Sequence, residues 1–127
     1  MAPQTDGKIM SAEEIVRAEV AAWARNDIDE VMSHFAEDAT FDIGPDWPKL
    51  SGREAIHDMM KVFFAGGQCV DLEIRYIAVD GNVVLMERRD HWIVDGKQMS
   101  WPVMGAYEVQ EEKIIAWREY FYPPKES

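Results

Sequence analysis

The segment Val83–Val94 carries charged residues on what should be an apolar face. Its composition and the turn residues on either side predict a β-strand, in which side chains alternate between two faces. The even-numbered residues are mostly large and apolar, as at Met86 and Trp92, yet Arg88 and Asp90 belong to the same set. Because an isolated buried charge is costly, such a pair indicates either a structural ion pair or a functional site.

A second carboxylate stands in the same kind of surroundings near the end of the chain. Residues 113–122 are predicted to form the last strand, and Glu119 shares its odd-numbered face with Ile115, Trp117 and Phe121. Arg88 could therefore pair with an acid from each of two strands. Two carboxyls that differ in protonation can serve as general acid and general base. A purely structural ion network, or a β-bulge that reverses the alternation, remains the alternative.

Other chemistries have no matching residue pattern. The three histidines (His34, His57 and His91) and the single Cys69 lack the spacing of metal ligands, and no glycine-rich phosphate motif is present. We therefore expect no metal and no cofactor. Each histidine is interpreted as a surface or interface residue, and Cys69 as a small buried hydrophobe.

The composition is that of one soluble domain. A chain of 127 residues has room for one core, and no apolar run approaches the roughly 20 residues of a membrane span. The net charge of −11, with scattered basic residues, argues against nucleic-acid binding. A lone cysteine and the absence of a signal-peptide pattern predict a cytoplasmic protein.

Helical signals are confined to the first half of the chain. A capping box at Ser11 and Glu14 opens a helix that runs to about Arg25. Two more helices are predicted from about Asp29 to Phe35 and from Gly52 to Gly66. Strands are predicted at residues 39–43, 69–79, 83–94, 98–110 and 113–122. This order indicates an α+β fold: about three helices close a curved, mostly antiparallel sheet around an apolar pocket.

Residues 1–10 are predicted to form a flexible arm and residues 11–127 a single domain. The strand around Trp101, Pro102 and Tyr107 is apolar on both faces. Because an apolar outer face is usually covered, we expect a homodimer joined through the outside of the sheet.

Two of these segments resemble the limonene-1,2-epoxide hydrolases. The stretch Glu-Arg-Arg-Asp at residues 87–90 resembles that family's Arg-x-Asp strand. Residues 112–121, Glu-Lys-Ile-Ile-Ala-Trp-Arg-Glu-Tyr-Phe, are similar to its last strand, which reads roughly Gly-Lys-Ile-Thr-Gly-Trp-Arg-Asp-Tyr-Phe. Weaker likenesses at residues 35–38 and 51–55 extend the resemblance over about residues 11–122. It implies the cone-shaped roll of nuclear transport factor 2-like and SnoaL-like proteins.

The resemblance also implies a reaction. In such enzymes water opens an epoxide directly, without a metal, cofactor or covalent intermediate. Carried over, Asp90 would be the acid, Arg88 the bridge between the two carboxyls and Glu119 the base. The implied ligand is a small apolar epoxide, and the candidate pocket walls are Phe41, Trp92, Trp101, Val103 and Phe121.

The sequence departs from that family at the residues that hold the water. A Tyr and an Asn two residues apart are expected there, but Phe41 and Ile43 stand in their places, and neither side chain forms hydrogen bonds. The base is also Glu119 instead of Asp. Two other interpretations keep the same fold: an isomerase, dehydratase or cyclase with Asp90 or Glu119 as proton shuttle, and a non-catalytic dimer that binds a small molecule.

Overall fold

The computed structural model describes residues 9–123 and 125–126. It contains the three expected helices, α1 (Ala12–Ala24), α2 (Ile28–Ser33) and α3 (Arg53–Gly66). The strands are β1 (Phe35–Asp42), β2 (Leu50–Ser51), β3 (Gln68–Asp80), β4 (Val83–Val94), β5 (Lys97–Gln110), β6 (Lys113–Phe121) and β7 (Lys125–Glu126). The first eight residues of the expected N-terminal arm lie outside the described part of the chain.

Helix α1 begins at the predicted capping box. The Ser11 hydroxyl accepts a hydrogen bond from the Glu14 backbone N–H at 3.1 Å, and the Glu14 carboxylate accepts one from the Ser11 N–H at 2.8 Å. Val16, Val20 and Trp23 recur at helical spacing and are buried. This apolar stripe lays α1 against the sheet.

The sheet is mixed and mostly antiparallel, as expected. Within the described residues its order is β2-β1-β6-β5-β4-β3, and β7 pairs with the start of β5. Among the described strands, only β1 and β6 run parallel. The four long strands β3 to β6 form a meander that bends around the helices. The α+β fold class is therefore confirmed.

Two boundaries near the start of the sheet differ from the sequence prediction. Phe35 begins β1 and pairs with Ile114, whereas it was expected to end the second helix. The helix stops at Ser33, and from Phe35 onward the backbone pairs with β6 in the sheet. The two-residue strands β2 and β7 are too short to leave a periodic signal in the sequence.

A β-bulge corrects the predicted face of Ile115. Glu108 pairs with Ala116, and Val109 pairs with Ile114, so Ile115 is an extra residue in β6. Ile114 is consequently buried and Ile115 is not, which reverses the expected alternation at this point. Beyond the bulge, Trp117 and Glu119 keep the predicted face.

Trp117 lies at the centre of an aromatic core between the helices and the sheet. The ring centroids of Tyr107, Phe41 and Trp23 lie 4.8, 5.3 and 5.8 Å from its own, and Phe35 stacks on it at 5.9 Å. These contacts fix the inner face of β6 on which Glu119 stands. No helix in the described part of the chain is both long and apolar enough to cross a membrane.

Candidate active site

The structure brings Arg88, Asp90 and Glu119 into one hydrogen-bonded cluster. Arg88 Nε donates to Asp90 Oδ1 at 2.7 Å, and Nη2 donates to Asp90 Oδ2 at 2.9 Å. The same Nη2 donates to Glu119 Oε2 at 2.5 Å. The guanidinium therefore grips both oxygens of one acid and one oxygen of the other. Such charge-assisted, partly bidentate contacts fix the relative positions of the two carboxyls.

The local strand structure explains this meeting. Strands β4 and β5 pair without a register shift from Val83 to Val94, so Arg88 and Asp90 stay on the inner face. Gly105 of β5 pairs with Glu119 of β6. A Cβ atom at Gly105 would lie 3.2 Å from Arg88 Nη1 and 3.0 Å from the Tyr107 hydroxyl. The missing side chain thus leaves room for the guanidinium to reach across β5.

Tyr107 is a partner of the cluster that the sequence did not single out. Arg88 Nη1 donates to its hydroxyl oxygen at 2.5 Å, and the tyrosine is fully buried. It stands two residues from Gly105, on the same face of β5. All three guanidinium nitrogens therefore have partners.

Burial dominates the electrostatics of the cluster. The Arg88 side chain is 1% exposed, that of Asp90 6% and that of Glu119 13%. Burial raises the pKa of Glu119; Arg88 opposes this shift and Asp90 adds to it. Burial alone would lower the pKa of Arg88, but Glu119, Tyr107 and Asp90 raise it well above its usual value. The arginine thus stays charged, and Glu119 holds a proton more readily than an exposed glutamate.

Arg88, Asp90 and Glu119 line a cavity of about 750 Å³ whose other walls are mostly aromatic and aliphatic. Four of the predicted wall residues line it, namely Phe41, Trp92, Trp101 and Phe121. Val103 is buried but is not among the lining residues; its short side chain lies between its larger in-register neighbours, Arg88 and Phe121. Wall residues that the sequence analysis did not assign to the pocket come from α1, α3, β6 and the loop after β1: Trp23, Trp47, Phe63 and Trp117.

Comparison with known proteins assigns the family. The limonene-1,2-epoxide hydrolase catalytic domain matches residues 10–123. The chain belongs to this family. Epoxide hydrolase EphG of Mycobacterium tuberculosis is 37% identical over 51 residues, which are 40% of this chain and 34% of that protein. The matched segment thus spans about a third of that relative's length.

Solved structures agree with this assignment. A limonene-epoxide-hydrolase-like epoxide hydrolase of M. tuberculosis superimposes with a TM-score of 0.79 at 25% identity, covering 87% of this chain and 82% of that one. A SnoaL-like polyketide cyclase from Shewanella denitrificans also reaches 0.79, at 13% identity over 87% and 90% of the two chains. The second match shows a shared fold only.

This member of the limonene-1,2-epoxide hydrolase family has an apolar wall where a water is expected to be held. Phe41 and Ile43 both line the cavity and are 2% and 8% exposed. Phe41 stands edge-on to Trp117, with ring centroids 5.3 Å apart. Neither side chain can form a hydrogen bond to a water.

The histidines and the cysteine lie away from the cavity lining. His91 contacts Ser100 at 2.9 Å and Glu73 at 3.0 Å on the outer face, and burial lowers the pKa of His34. His57 lines a separate open groove near the start of β1. Cys69 is buried, which raises its pKa to about 12. Across residues 9–123 and 125–126, no group of three or more His, Cys, Asp or Glu side chains is arranged to hold a metal ion.

Proposed function

We propose that this chain is an epoxide hydrolase that opens an apolar epoxide by direct attack of water, without metal or cofactor. The observation that carries the proposal is the contact of one buried arginine with two carboxyls at a cavity walled by aromatic side chains. An apolar cavity holds the epoxide and excludes bulk water, while the cluster supplies the two proton transfers.

In the proposed reaction, Asp90 acts as the acid and Glu119 as the base. Glu119 takes a proton from water as the water oxygen bonds to an epoxide carbon. The bond from that carbon to the epoxide oxygen breaks, and Asp90, which releases one of its bonds to Arg88 when protonated, gives its proton to the oxygen. The product is a diol. Proton exchange then returns the pair to its starting state.

The electrostatics suit a base at Glu119. A general base works best when its pKa lies near the working pH, and burial moves the pKa of Glu119 upward in that direction. Arg88 keeps its charge throughout and balances one carboxylate. Two ionised acids with one cation would leave a net charge in an apolar site, so we propose that the pair holds one proton at neutral pH.

The experiment is turnover of a panel of bulky apolar epoxides by the purified protein, without added metal. Asp90→Asn and Glu119→Gln should each lower the rate by about 10² to 10⁴, because an amide cannot replace the proton transfer. Glu108→Gln is the matched control, since Glu108 pairs with Arg118 away from the cavity and its loss should leave the rate unchanged.

The apolar residues Phe41 and Ile43 allow a second variant to be tested in this experiment. Phe41→Tyr combined with Ile43→Asn supplies two groups that could hold a water beside Glu119, so the double variant should turn over faster than the natural protein. If the panel is inert with both proteins, the hydrolase proposal fails, and proton-shuttle chemistry or simple ligand binding becomes the better account of the same cavity.

We also propose that the chain forms a homodimer through the outer face of its sheet. Met104, in register with Glu87 and Tyr120, is 47% exposed, and Leu85 nearby on this face is 44% exposed. Exposed apolar side chains on a broad strand surface favour association. Sedimentation at micromolar concentration should give a dimer, and Met104→Glu should shift it toward monomer. A monomeric natural protein would contradict the proposal.

The remaining proposals concern the chain as a whole. We place the protein in the cytoplasm because its single thiol suits a reducing compartment. Residues 11–127 are proposed as one domain.

A further inference from the structure

We infer that the cavity selects its epoxide by charge: it takes epoxides with a positively charged group at the end remote from the epoxide ring and rejects those that carry a carboxylate. This inference rests on the proposed function, since it names the substrate class of the same site. It is drawn from the ionisable groups that line the cavity and from the aromatic character of its walls.

The cavity offers an anion no free positive charge. Arg88 is the only cationic side chain among the described lining residues, and its three nitrogens are engaged by Asp90, Glu119 and Tyr107. The other charged side chains among the described lining residues are all acidic, namely Asp46, Asp90 and Glu119. A substrate carboxylate would therefore lose water without gaining a partner, which is costly in an apolar site.

The walls favour the opposite charge. Five tryptophans line the cavity, together with three phenylalanines, and the faces of aromatic rings carry partial negative charge. A cation over such a face is attracted, most strongly by tryptophan. The lining thus discriminates between cations and anions even before any carboxylate is considered.

The mouth of the cavity adds a carboxylate beside an exposed tryptophan. The Trp47 backbone N–H donates to the Gly44 carbonyl at 3.2 Å, which closes a turn and brings Asp46 and Trp47 to the rim. Asp46 is exposed, and Trp47 is 42% exposed. The Trp47 ring packs edge-on against Phe63 of α3 at 5.8 Å, which holds the turn in place. An ammonium group at the rim would meet one negative charge and one aromatic face.

The test uses three styrene oxides that differ in the group para to the epoxide; the cationic and the neutral one are matched in shape, and the third carries a carboxylate. These groups are trimethylammoniomethyl, its neutral isostere neopentyl, and carboxymethyl. At neutral pH and low salt, kcat/KM should be about tenfold higher for the cation than for the neutral isostere, given cation–π and carboxylate contacts at a partly exposed site. It should be at least about tenfold lower for the anion.

Variants of the rim locate the effect. Asp46→Asn should lower the ratio of kcat/KM between the cationic and neutral substrates several-fold, and Asp46→Lys should reverse the preference. Asp80→Asn removes the same charge at the far end of β3 and should leave the ratio unchanged. A ratio at or below one in the natural protein overturns the inference, as does a ratio that Asp46→Asn does not alter.

A binding measurement separates this inference from the proposed reaction. If neither these three epoxides nor the wider panel is hydrolysed, the proposed function fails, but the charge preference remains testable. Quenching of tryptophan fluorescence would then compare benzyltrimethylammonium with neopentylbenzene and phenylacetate. Tighter binding of the cation than of both others supports the inference, and equal or weaker binding refutes it.

Discussion

Two arginines form carboxylate contacts on opposite faces of the sheet, and these contacts differ mainly in their access to water. On the inner face, Arg88 contacts Asp90 and Glu119, with side-chain exposures of 1%, 6% and 13%. On the other face, Arg118 contacts Glu108 at 2.7 Å, with exposures of 36% and 35%. Glu119 and Arg118 are neighbours in the sequence, yet they belong to different environments.

The difference shows that geometry alone does not make a site. Both arginines form short, well-directed bonds to carboxylates, but the exposed pair exchanges those bonds for equally good ones to water. The inner cluster has no such exchange, so its charges depend on one another, and burial raises the pKa of Glu119. A carboxyl that holds its proton more readily than usual therefore stands beside a charged arginine at the cavity.

Removing each arginine should give the largest contrast between the two faces. Arg88→Ala leaves two acids buried without a cation and should lower the free energy of unfolding by about 3–5 kcal/mol. Arg118→Ala should cost at most about 1 kcal/mol, because its partner stays solvated. Urea denaturation followed by tryptophan fluorescence measures both. Equal losses would mean that the inner cluster is not energetically distinct.

Adding a methyl group at Gly105, beside the inner cluster, should have an intermediate effect on the free energy of unfolding. In Gly105→Ala the new methyl group lies 3.0 Å from the Tyr107 hydroxyl and 3.2 Å from Arg88 Nη1, so one of the two must move. We expect a loss of about 1–3 kcal/mol in unfolding free energy. Gly66→Ala is the control, since its new methyl meets nothing within 4 Å. The denaturation midpoint of Gly105→Ala should therefore lie below that of Gly66→Ala. If Gly105→Ala leaves the stability unchanged, the close contact at Gly105 is contradicted.

A third acid, Glu19, shows the effect of burial on the pKa of a carboxyl separately from the effect of ion pairing. Glu19 of α1 is fully buried and accepts one hydrogen bond from Trp23 Nε1 at 3.2 Å, and it forms no ion pair with any described residue. Burial raises its pKa well above the usual value, so the folded state keeps a proton that the unfolded chain releases near pH 4.3. Stability should therefore fall as pH rises above about 4.3, by up to about 1.4 kcal/mol per pH unit, until the folded-state pKa is reached.

Glu19→Gln should remove this dependence, because the amide imitates the protonated acid at every pH. Its stability relative to the natural protein should be unchanged at pH 4 and should improve toward pH 7. Glu37→Gln, at an exposed position of β1, is the control and should leave the pH dependence of the difference flat. A Glu19→Gln difference that does not vary with pH would mean that Glu19 is ionised in the folded protein.

The face of Arg88 and Asp90 could be predicted because β4 pairs with β5 without interruption. Alternation of side chains then holds along the whole strand, and each even-numbered residue from Val84 to Trp92 is buried. The same reasoning failed at Ile115, where a single extra residue in β6 shifts the face. A bulge depends on how two strands meet, and it leaves no mark in the pattern of either strand alone.

The partners of the cluster were harder to predict than its charges. Tyr107 contacts Arg88 because Gly105 leaves a gap, and both facts depend on the register between three strands. Likewise, Trp23 and Phe63 reach the cavity from two helices. The apolar stripes of these helices predict that both side chains are buried, but not which part of the protein they contact. Sequence periodicity predicts which side of an element is buried, whereas tertiary packing decides what it meets.

The parallel pairing of β1 with β6 has a consequence for how the protein folds. Phe41 pairs with Trp117, and Asp42 with Arg118, across most of the chain length, while the β3–β6 hairpins pair neighbours. Contacts between distant residues require closure of a long loop and slow the search for the native state. The meander can assemble from local turns. The contact between Phe41 and Trp117 cannot form until these two distant segments of the chain have met. Refolding should therefore bury the Trp117 indole in its slowest kinetic step, after most of the strand signal has appeared.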